Sequence, residues 1–467
     1  MASGGFWKKR ALRVPDERRQ NPQITLRNSI WPICLVTTLF FLWGFSYGLL
    51  DTLNKHFQVT LNITKARSSG LQAAYFGAYP LASLGHAAWL LRHFGYRTVF
   101  IYGLVLYGVG ALLAIAAIKA KSFGGFCACI FIIGNGLGSL ETAANPYITV
   151  CGPPRLAEIR INISQAFNGI GTVVAPVLGS YVLFTFDDQT ALENVQWIYL
   201  SIAVFVFILA AIFFFSVIPE ITDADMQLQA EQSTVGASDL PLQKQYRLFH
   251  AAFAQFCYVA SQVAVASFFI NYVTEVRADT PNWMGSQLLA GGQAAFAVGR
   301  FVGVGLIYLM RPRWVFLGFL TLVIVFTALS IGLRGNAGIA MLYCILLFES
   351  ICFPTIVALG MRGLGRHTKV GSGFLVGAVL GGAVGPPLMG YVADLYGTGL
   401  SMFIPLIFFV AALTYPIAVN FVPAYRNVAD SFSETSHAAE IQAVGKIDAE
   451  AEIVEHAEEK GAAKATV

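Results

Sequence analysis

The chain has 467 residues, of which 56% are hydrophobic and only 12% are charged. Soluble domains carry about 25% charged residues, so this composition excludes an ordinary soluble protein and indicates a polytopic membrane protein. The net charge of +4 is too small to indicate nucleic-acid binding, and the basic residues are spread over short loops instead of forming one patch.

Apolar runs of about 18 to 25 residues, long enough to cross a bilayer as helices, follow one another along the chain. The twelve runs lie near 29–54, 69–91, 98–118, 124–147, 160–185, 196–218, 248–273, 284–308, 314–333, 338–359, 370–393 and 400–422. The sequence therefore predicts an all-α membrane protein with twelve transmembrane helices. The predicted segments are a basic tail (1–28), a six-helix half (29–218), a polar linker (219–247), a second six-helix half (248–422) and an acidic tail (423–467).

Lysine and arginine are concentrated in the N-terminal tail and in the loops on one side of the predicted bundle. They are Lys8, Lys9, Arg10, Arg13, Arg18, Arg19 and Arg27 in the tail, and Arg92, Arg97, Arg155, Arg160, Arg311, Arg313, Arg362, Arg366 and Lys369 in the loops. Because such loops remain in the cytoplasm, we expect both termini there. We expect the plasma membrane, with an internal membrane as the alternative.

The two halves carry similar short motifs in the same order. Glu141-Thr-Ala-Ala-Asn-Pro146 in the fourth run corresponds to Glu349-Ser-Ile-Cys-Phe-Pro354 in the tenth. Arg97 before the third run corresponds to Arg313 before the ninth. Parallel six-helix repeats around a midplane site are the architecture of major facilitator transporters, so we predict that fold.

Glu141 is the one charged residue in the apolar stretch 124–150. A carboxylate in hydrocarbon is costly unless it is protonated, paired or facing a wet cavity, so such an acid suggests a functional site. One turn later, the proline of Asn145-Pro146 removes a backbone hydrogen bond from the same helix. We predict that Glu141 is a proton-coupling group; a structural acid paired across helices is the alternative.

Asp51 lies late in the first run, where the apolar sequence soon stops. We predict that it accepts a substrate hydroxyl or a proton in a central cavity. The alternative is that it lies in water at the end of the helix. In the second half the intramembrane charges are Arg300 and Glu349, which either pair with each other or contact substrate.

Neutral amides and one tyrosine occur at helical spacing in two further runs. The fifth run offers Gln165 and Asn168, three residues apart and so on one helix face; the seventh offers Gln255, Tyr258, Gln262 and Asn271. Amides bind hydroxyl groups bidentately and aromatic rings cover apolar sugar faces, which suits a sugar. The alternative is hydrogen bonding between helices, a common use of Gln and Asn in membranes.

The chain shows no arrangement expected of an enzyme. A phosphate-binding loop, an HExxH motif, a Ser/His/Asp arrangement and Cys/His metal spacing are all missing from the sequence. We therefore expect no catalytic residues, no metal and no cofactor other than protons as the coupling ion. The expected partners are a sugar, protons and the lipid bilayer, with no nucleic acid, and we expect a monomer.

Five stretches together resemble the fucose/galactose/glucose:proton symporter family of the major facilitator superfamily. They are FFLWGFSYGLLD (40–51), GLGSLETAANPYITVCGP (136–153), ISQAFNGIG (163–171), AQFCYVASQVAVASFF (254–269) and the glycine-rich stretch 353–390. The resemblance covers about residues 30–420. It implies that Asp51 contacts sugar and takes part in coupling, that Glu141 is the protonation switch, and that Gln165 and Asn168 lie beside the sugar.

The chain departs from the family pattern at several positions in the predicted cavity. Tyr47 and Gly48 replace asparagines, Phe353 replaces a tyrosine, Ala266 replaces a tryptophan, and Glu349 stands where an apolar residue is expected. These changes remove donors and a stacking platform from the cavity. We still expect proton coupling, with a pocket suited to glucose, galactose or an amino sugar instead of fucose.

We therefore predict proton-coupled uptake of a hexose or deoxyhexose by alternating access. An uncoupled sugar facilitator and a sugar-binding membrane sensor are the alternatives.

Overall fold

The structure is a computed structural model that describes residues 26–151, 157–182, 188–216, 218–220, 241–364 and 367–430. Most of the predicted basic tail, linker and acidic tail lies outside the described residues, as do Arg155 and Arg366. The regular elements in the described ranges are helices.

The described residues of the first half form nine helical segments. They are α1 (Leu26–Thr60), α2 (Lys65–Ser68), α3 (Gly70–Gly77), the π-helical α4 (Leu81–His86), α5 (Ala87–Phe94), α6 (Tyr96–Lys119), α7 (Phe123–Val150), α8 (Ala157–Val182) and α9 (Asp188–Phe215).

The second half follows the same plan with more interruptions. Its helices are α10 (Tyr246–Ser267), α11 (Phe269–Val276), α12 (Asn282–Leu309), α13 (Pro312–Gly332), α14 (Gly335–Glu349), α15 (Cys352–Met361), α16 (Thr368–Gly377), α17 (Gly381–Tyr396), α18 (Thr398–Ser401) and α19 (Phe403–Phe421). Short 3-10 turns lie at Leu242–Lys244 and Ala378–Leu380, and residues 423–430 are helical.

In the described part of the chain, 11 helical segments are long and apolar enough to cross a membrane. The remaining predicted run, 69–91, is divided among α3, α4 and α5. The division has local causes: Pro80 lacks a backbone N–H, and Gly85 has non-helical backbone angles (φ −101°, ψ −115°). In the described part of the chain, eleven of the twelve predicted runs thus match segments that meet the length and hydropathy of a membrane span, and the run 69–91 does not.

The tenth run breaks between α14 and α15, at Ser350 and Ile351. Pro354 lacks an N–H and cannot bond the carbonyl of Ser350, four residues earlier. The freed Ser350 carbonyl accepts a hydrogen bond from Arg300 Nε at 3.2 Å, and the neighbouring Glu349 carbonyl accepts one from the Tyr258 hydroxyl at 2.7 Å. The backbone break therefore creates two acceptors that other helices use.

The predicted repeat is visible in two equivalent arginine contacts, one in each half. Arg97, at the start of α6, donates to the carbonyls of Phe213 (3.2 Å) and Phe214 at the end of α9. Arg313, at the start of α13, donates to Asn420 Oδ1 (3.0 Å) at the end of α19 and to Asp430 (2.8 Å) beyond it. The corresponding arginines therefore join corresponding helices.

The two halves touch at one end of the bundle through a polar network. Lys65 Nζ bonds Glu275, and Thr398 donates its backbone N–H to Glu275 Oε2 at 2.7 Å. The first two N–H groups of α2, from Lys65 and Ala66, donate to the Asp394 carboxylate at 3.1 and 3.0 Å. Because free N–H groups at a helix N-terminus attract a carboxylate, Asp394 caps α2 from the opposite half. We name these contacts the Lys65 network.

At the other end, α16 of the second half lies against α4 of the first. A Cβ on Gly373 would lie 2.8 Å from the Ser83 carbonyl oxygen, so only glycine allows this approach. Lys369 lies over the Tyr96 ring at 5.5 Å. Contacts between the halves therefore exist at both ends, and the middle of the bundle lies enclosed between them.

Candidate functional site

Three carboxylic acids are buried in the middle of the bundle. The exposed fraction is 1% for Asp51, 2% for Glu141 and 1% for Glu349. Each has one buried oxygen without a hydrogen-bond partner in the described structure: Oδ2 of Asp51, Oε2 of Glu141 and Oε2 of Glu349. An unpaired buried polar atom is costly and needs an explanation. Three of them on three helices indicate a place for a proton or a polar ligand.

Asp51 links the two halves. Ser267, the last residue of α10, donates its hydroxyl to Asp51 Oδ1 at 2.9 Å. Helix α1 continues past Asp51 to Thr60, so the alternative that Asp51 ends its helix in water is wrong. Gln72 of α3 is fully buried next to Asp51, and neither atom of its side-chain amide makes a hydrogen bond of ordinary length to another described residue.

Among the described residues Glu141 has one polar contact, and it lies on its own helix. Asn145, one turn later on α7, donates Nδ2 to Glu141 Oε1 at 3.2 Å. Within the described residues Glu141 forms no ion pair, so the alternative of an acid paired across helices is not seen. Tyr75 and Tyr79 of the broken second helix lie within electrostatic reach of the carboxyl group. Among the described residues, the groups that interact electrostatically with Glu141 are therefore tyrosine hydroxyls and not a cation.

Arg300 and Glu349 do not form an ion pair in the described structure, so the pairing alternative is not realised. Arg300 instead crosses to the first half, where Nη1 donates to Gln165 Oε1 at 2.9 Å and to Asn168 Oδ1 at 3.1 Å. It also bonds the Gln165 backbone carbonyl. Glu349 is close enough to Arg300 and Asp51 to interact with both electrostatically.

The structure places Gln165 and Asn168 together on α8, as their spacing predicts. Asn168 also donates Nδ2 to the Phe40 carbonyl of α1 at 3.2 Å, while Gln165 Nε2 is buried without a partner among the described residues. The Asn168 amide is thus bonded to α1, and the Gln165 amide has donors that no described residue accepts.

The predicted polar stripe of the seventh run is only partly assembled. Gln255 and Tyr258 are fully buried, but Gln262 is half-buried. Tyr258 reaches the Glu349 carbonyl. Asn271 lies on α11, four residues before Glu275 of the Lys65 network, and donates to Gln58 Oε1 at 2.7 Å. The seventh run therefore contributes Tyr258 to the central group and Asn271 to one end.

Sequence reasoning missed several side chains of the central group. Gln72, Tyr75 and Tyr79 share one face of the broken second helix and have the same spacing as Gln255, Tyr258 and Gln262. The same search for helical spacing finds them. Tyr47, which in sequence is a departure from the family pattern, also belongs to this group. Its buried hydroxyl has no partner in the described part, and it lies within electrostatic reach of Asp51, Glu349 and Tyr75.

Aromatic rings flank this polar group. Trp43 of α1 meets Phe353 of α15 edge to face, with ring centroids 6.0 Å apart, and Tyr47 meets Phe76 at 6.1 Å. Carboxyl and amide groups beside such rings match the hydroxyl groups and apolar faces of a sugar. Among the described residues, no group of three or more His, Cys, Asp or Glu side chains has the arrangement of a metal site.

Comparison with known proteins gives consistent matches. The family model described as Major Facilitator Superfamily matches residues 33–378. The L-fucose-proton symporter of Escherichia coli (strain K12) is 32% identical over 393 residues, covering 79% of this chain and 89% of the relative. A glucose/galactose transporter of Brucella abortus (strain 2308) is 32% identical over 394 residues, covering 82% and 92%.

Solved structures agree with the fold. The crystal structure of the transporter FucP in the outward conformation superimposes with a TM-score of 0.66 at 30% identity, covering 83% of this chain and 98% of FucP. The proton:xylose symporter XylE, at 12% identity and a TM-score of 0.64, shares the fold alone.

Proposed function

We propose that this chain, which belongs to the Major Facilitator Superfamily and within it to the family of fucose/galactose/glucose:proton symporters, carries a hexose or deoxyhexose across the membrane together with protons. It acts as a transporter and not as an enzyme. The observation that carries the proposal is the central group of three buried acids, each with an unpaired oxygen, beside buried amides and aromatic rings.

In this proposal the sugar lies between the halves, against Gln165, Asn168 and Tyr258. Asp51 connects sugar and proton, because its buried carboxyl group has an unpaired oxygen that either can bind. Its other oxygen bonds Ser267 and so joins the site to the second half. Glu141 takes up a proton from one side and releases it to the other. A proton can drive sugar only if it binds the two conformations with different affinity, and burial of the carboxyl group supplies such a difference.

We further propose a plasma-membrane protein with both termini in the cytoplasm, as the loop charges indicate. The Lys65 network then lies on the extracellular side, and the contact of Gly373 with Ser83 lies on the cytoplasmic side. A monomer suffices, because the central group lies between two halves of one chain.

The decisive experiment is a panel of labelled fucose, galactose and glucose in proteoliposomes, with and without an imposed pH gradient. We expect one sugar or more to accumulate inside when the interior is alkaline. Equilibration without accumulation indicates an uncoupled facilitator, and binding without movement indicates a sensor; either outcome contradicts the proposal.

The Lys65 network provides a first structural prediction. Replacing Lys65 with Gln removes a contact that holds the extracellular side closed, so the outward-open form gains population and the apparent affinity for external sugar rises. Exposed ion pairs contribute about 0–1 kcal/mol, so we expect a change of about two- to fivefold. Initial-rate uptake at several external sugar concentrations measures it.

The double variant Lys65→Glu with Glu275→Lys is the control, because it restores an ion pair of reversed direction. It should return the affinity towards the wild-type value. If the double variant behaves like Lys65→Gln, the ion pair does not control closure.

The pH dependence of this closure follows from Glu275. Burial by itself raises the pKa of Glu275, but bonds from Lys65 and Thr398 outweigh it and hold the pKa below its ordinary value. A lowered pKa means that the contact stabilises the closed form above the ordinary glutamate pKa and is lost as pH falls through the lowered one. Closure should therefore be insensitive to external pH near neutrality and weaken only in strongly acidic medium.

A further inference from the structure

We infer that Arg300 is a positioning residue that occupies the sugar-binding amides of the empty carrier and is replaced there by the substrate's hydroxyl groups. The inference rests on the proposed function. It gives Arg300 a role different from that of a sugar ligand or a partner of Glu349.

The guanidinium group reaches across the boundary between the halves. From α12 it donates through Nη1 to Gln165 Oε1 at 2.9 Å, to Asn168 Oδ1 at 3.1 Å and to the Gln165 backbone carbonyl on α8. Both acceptor side chains are those that the sequence predicts to bind sugar. In this conformation each of their side-chain oxygens already accepts a hydrogen bond from Arg300.

The rest of the Arg300 side chain is held by its own half. Nε donates to the Ser350 carbonyl, which is free because Pro354 cannot bond it, and the guanidinium lies 4.5 Å from the Phe296 ring centroid. A Cβ on Gly169 of α8 would lie 3.2 Å from Ala297, so the two helices approach closely beside the contact. These contacts therefore orient the guanidinium group towards α8.

The partners of Arg300 are neutral oxygens, which sugar hydroxyls can compete for. Arg300 is 4% exposed and has no carboxylate within 4.0 Å in the described structure. An amide binds a sugar hydroxyl pair through its oxygen and its NH₂ group together. Gln165 Nε2 is buried and unpaired, while its oxygen is taken by Arg300. Because an amide oxygen has two lone pairs and Arg300 uses one of them, a sugar hydroxyl that binds both edges of Gln165 competes with Arg300 for the oxygen.

If sugar displaces Arg300 from Gln165 and Asn168, sugar binding is linked to the contact between the two halves. The empty carrier keeps the Arg300 bridge when it closes and returns. The loaded carrier closes around the sugar instead. Loss of the bridge should therefore slow the return of the empty carrier and leave the movement of the loaded carrier intact.

The test compares net uptake with exchange of labelled for unlabelled sugar, because exchange omits the return of the empty carrier. For Arg300→Gln we expect net uptake to fall about tenfold, the change that corresponds to one charge-assisted hydrogen bond. Exchange should stay within about twofold of wild type, and sugar should bind more tightly, because a competitor for the amides is gone.

Two further variants separate the bridge from charge and from folding. Arg300→Lys retains the positive charge but not the planar fork, so we expect net uptake between those of wild type and Arg300→Gln. The matched control Arg311→Gln removes a half-exposed arginine far from the amides, whose partner Asp430 is also bonded by Arg313. It should match wild type in both assays.

Equal loss of net uptake and exchange, together with weaker sugar binding, would show Arg300 to be a direct sugar ligand and would overturn the inference. Wild-type behaviour of Arg300→Lys would overturn it too, because charge alone would then suffice. Wild-type exchange is the reference for both. If the wild-type protein itself exchanges no sugar, it is the proposed function that fails.

Discussion

Replacement of Glu141 with Gln should abolish pH-driven sugar accumulation while sugar exchange continues. Glutamine has nearly the same shape as glutamic acid and can still accept the hydrogen bond from Asn145, but it cannot gain or lose a proton. One pH unit supplies about 1.36 kcal/mol per proton, enough for about tenfold accumulation. In proteoliposomes with an alkaline interior, wild type should approach that ratio and Glu141→Gln should stay near equal concentrations.

The control for this experiment is Asp279→Asn, which also removes one carboxylate. Asp279 is exposed in the loop between α11 and α12, away from the buried acids. It should accumulate sugar like wild type. Full accumulation by Glu141→Gln would eliminate Glu141 as the coupling group and would leave Asp51 and Glu349 as the buried candidates in the described structure.

Replacement of Asp51 with Asn should damage both coupling and sugar affinity. The amide oxygen can keep the bond from Ser267, but its NH₂ group puts donors where the carboxylate offers the unpaired Oδ2 acceptor. Loss of a charged acceptor costs about tenfold in affinity. We expect the KM for sugar to rise by about that factor and accumulation to disappear.

Ser267→Ala is the matched variant on the other side of the same bond. It removes the donor but keeps the carboxyl group, so accumulation should persist with a smaller change in KM. If Asp51→Asn retains wild-type accumulation and only KM changes, Asp51 is a sugar ligand without a part in coupling.

Much of the architecture follows from local sequence. The thickness of a bilayer sets the length of an apolar helix, so the runs could be counted without knowing their neighbours. The comparisons with known proteins confirm the major facilitator fold and the family that five short stretches indicated. The run 69–91 is divided into shorter helices, and the reason is also local, because Pro80 and Gly85 interrupt the helix.

The arrangement of the central group was only partly predictable. Helical spacing correctly put Gln165 and Asn168 on one face of α8, and it would equally have indicated Gln72, Tyr75 and Tyr79 had it been applied to the second run. The roles of Asp51, Glu141 and the amides in transport stay predictions until the experiments above are done.

By itself, the sequence determined which segments cross the membrane, the repeat of the two halves, and which charged groups lie in an apolar environment. These properties depend on residues within one or two turns of each other. The tertiary structure decided the partners: Arg300 with Gln165 and not Glu349, Asp51 with Ser267, and Asn271 with Gln58. Each of these contacts joins helices from different halves, and their geometry depends on how the whole bundle packs, which no local pattern encodes.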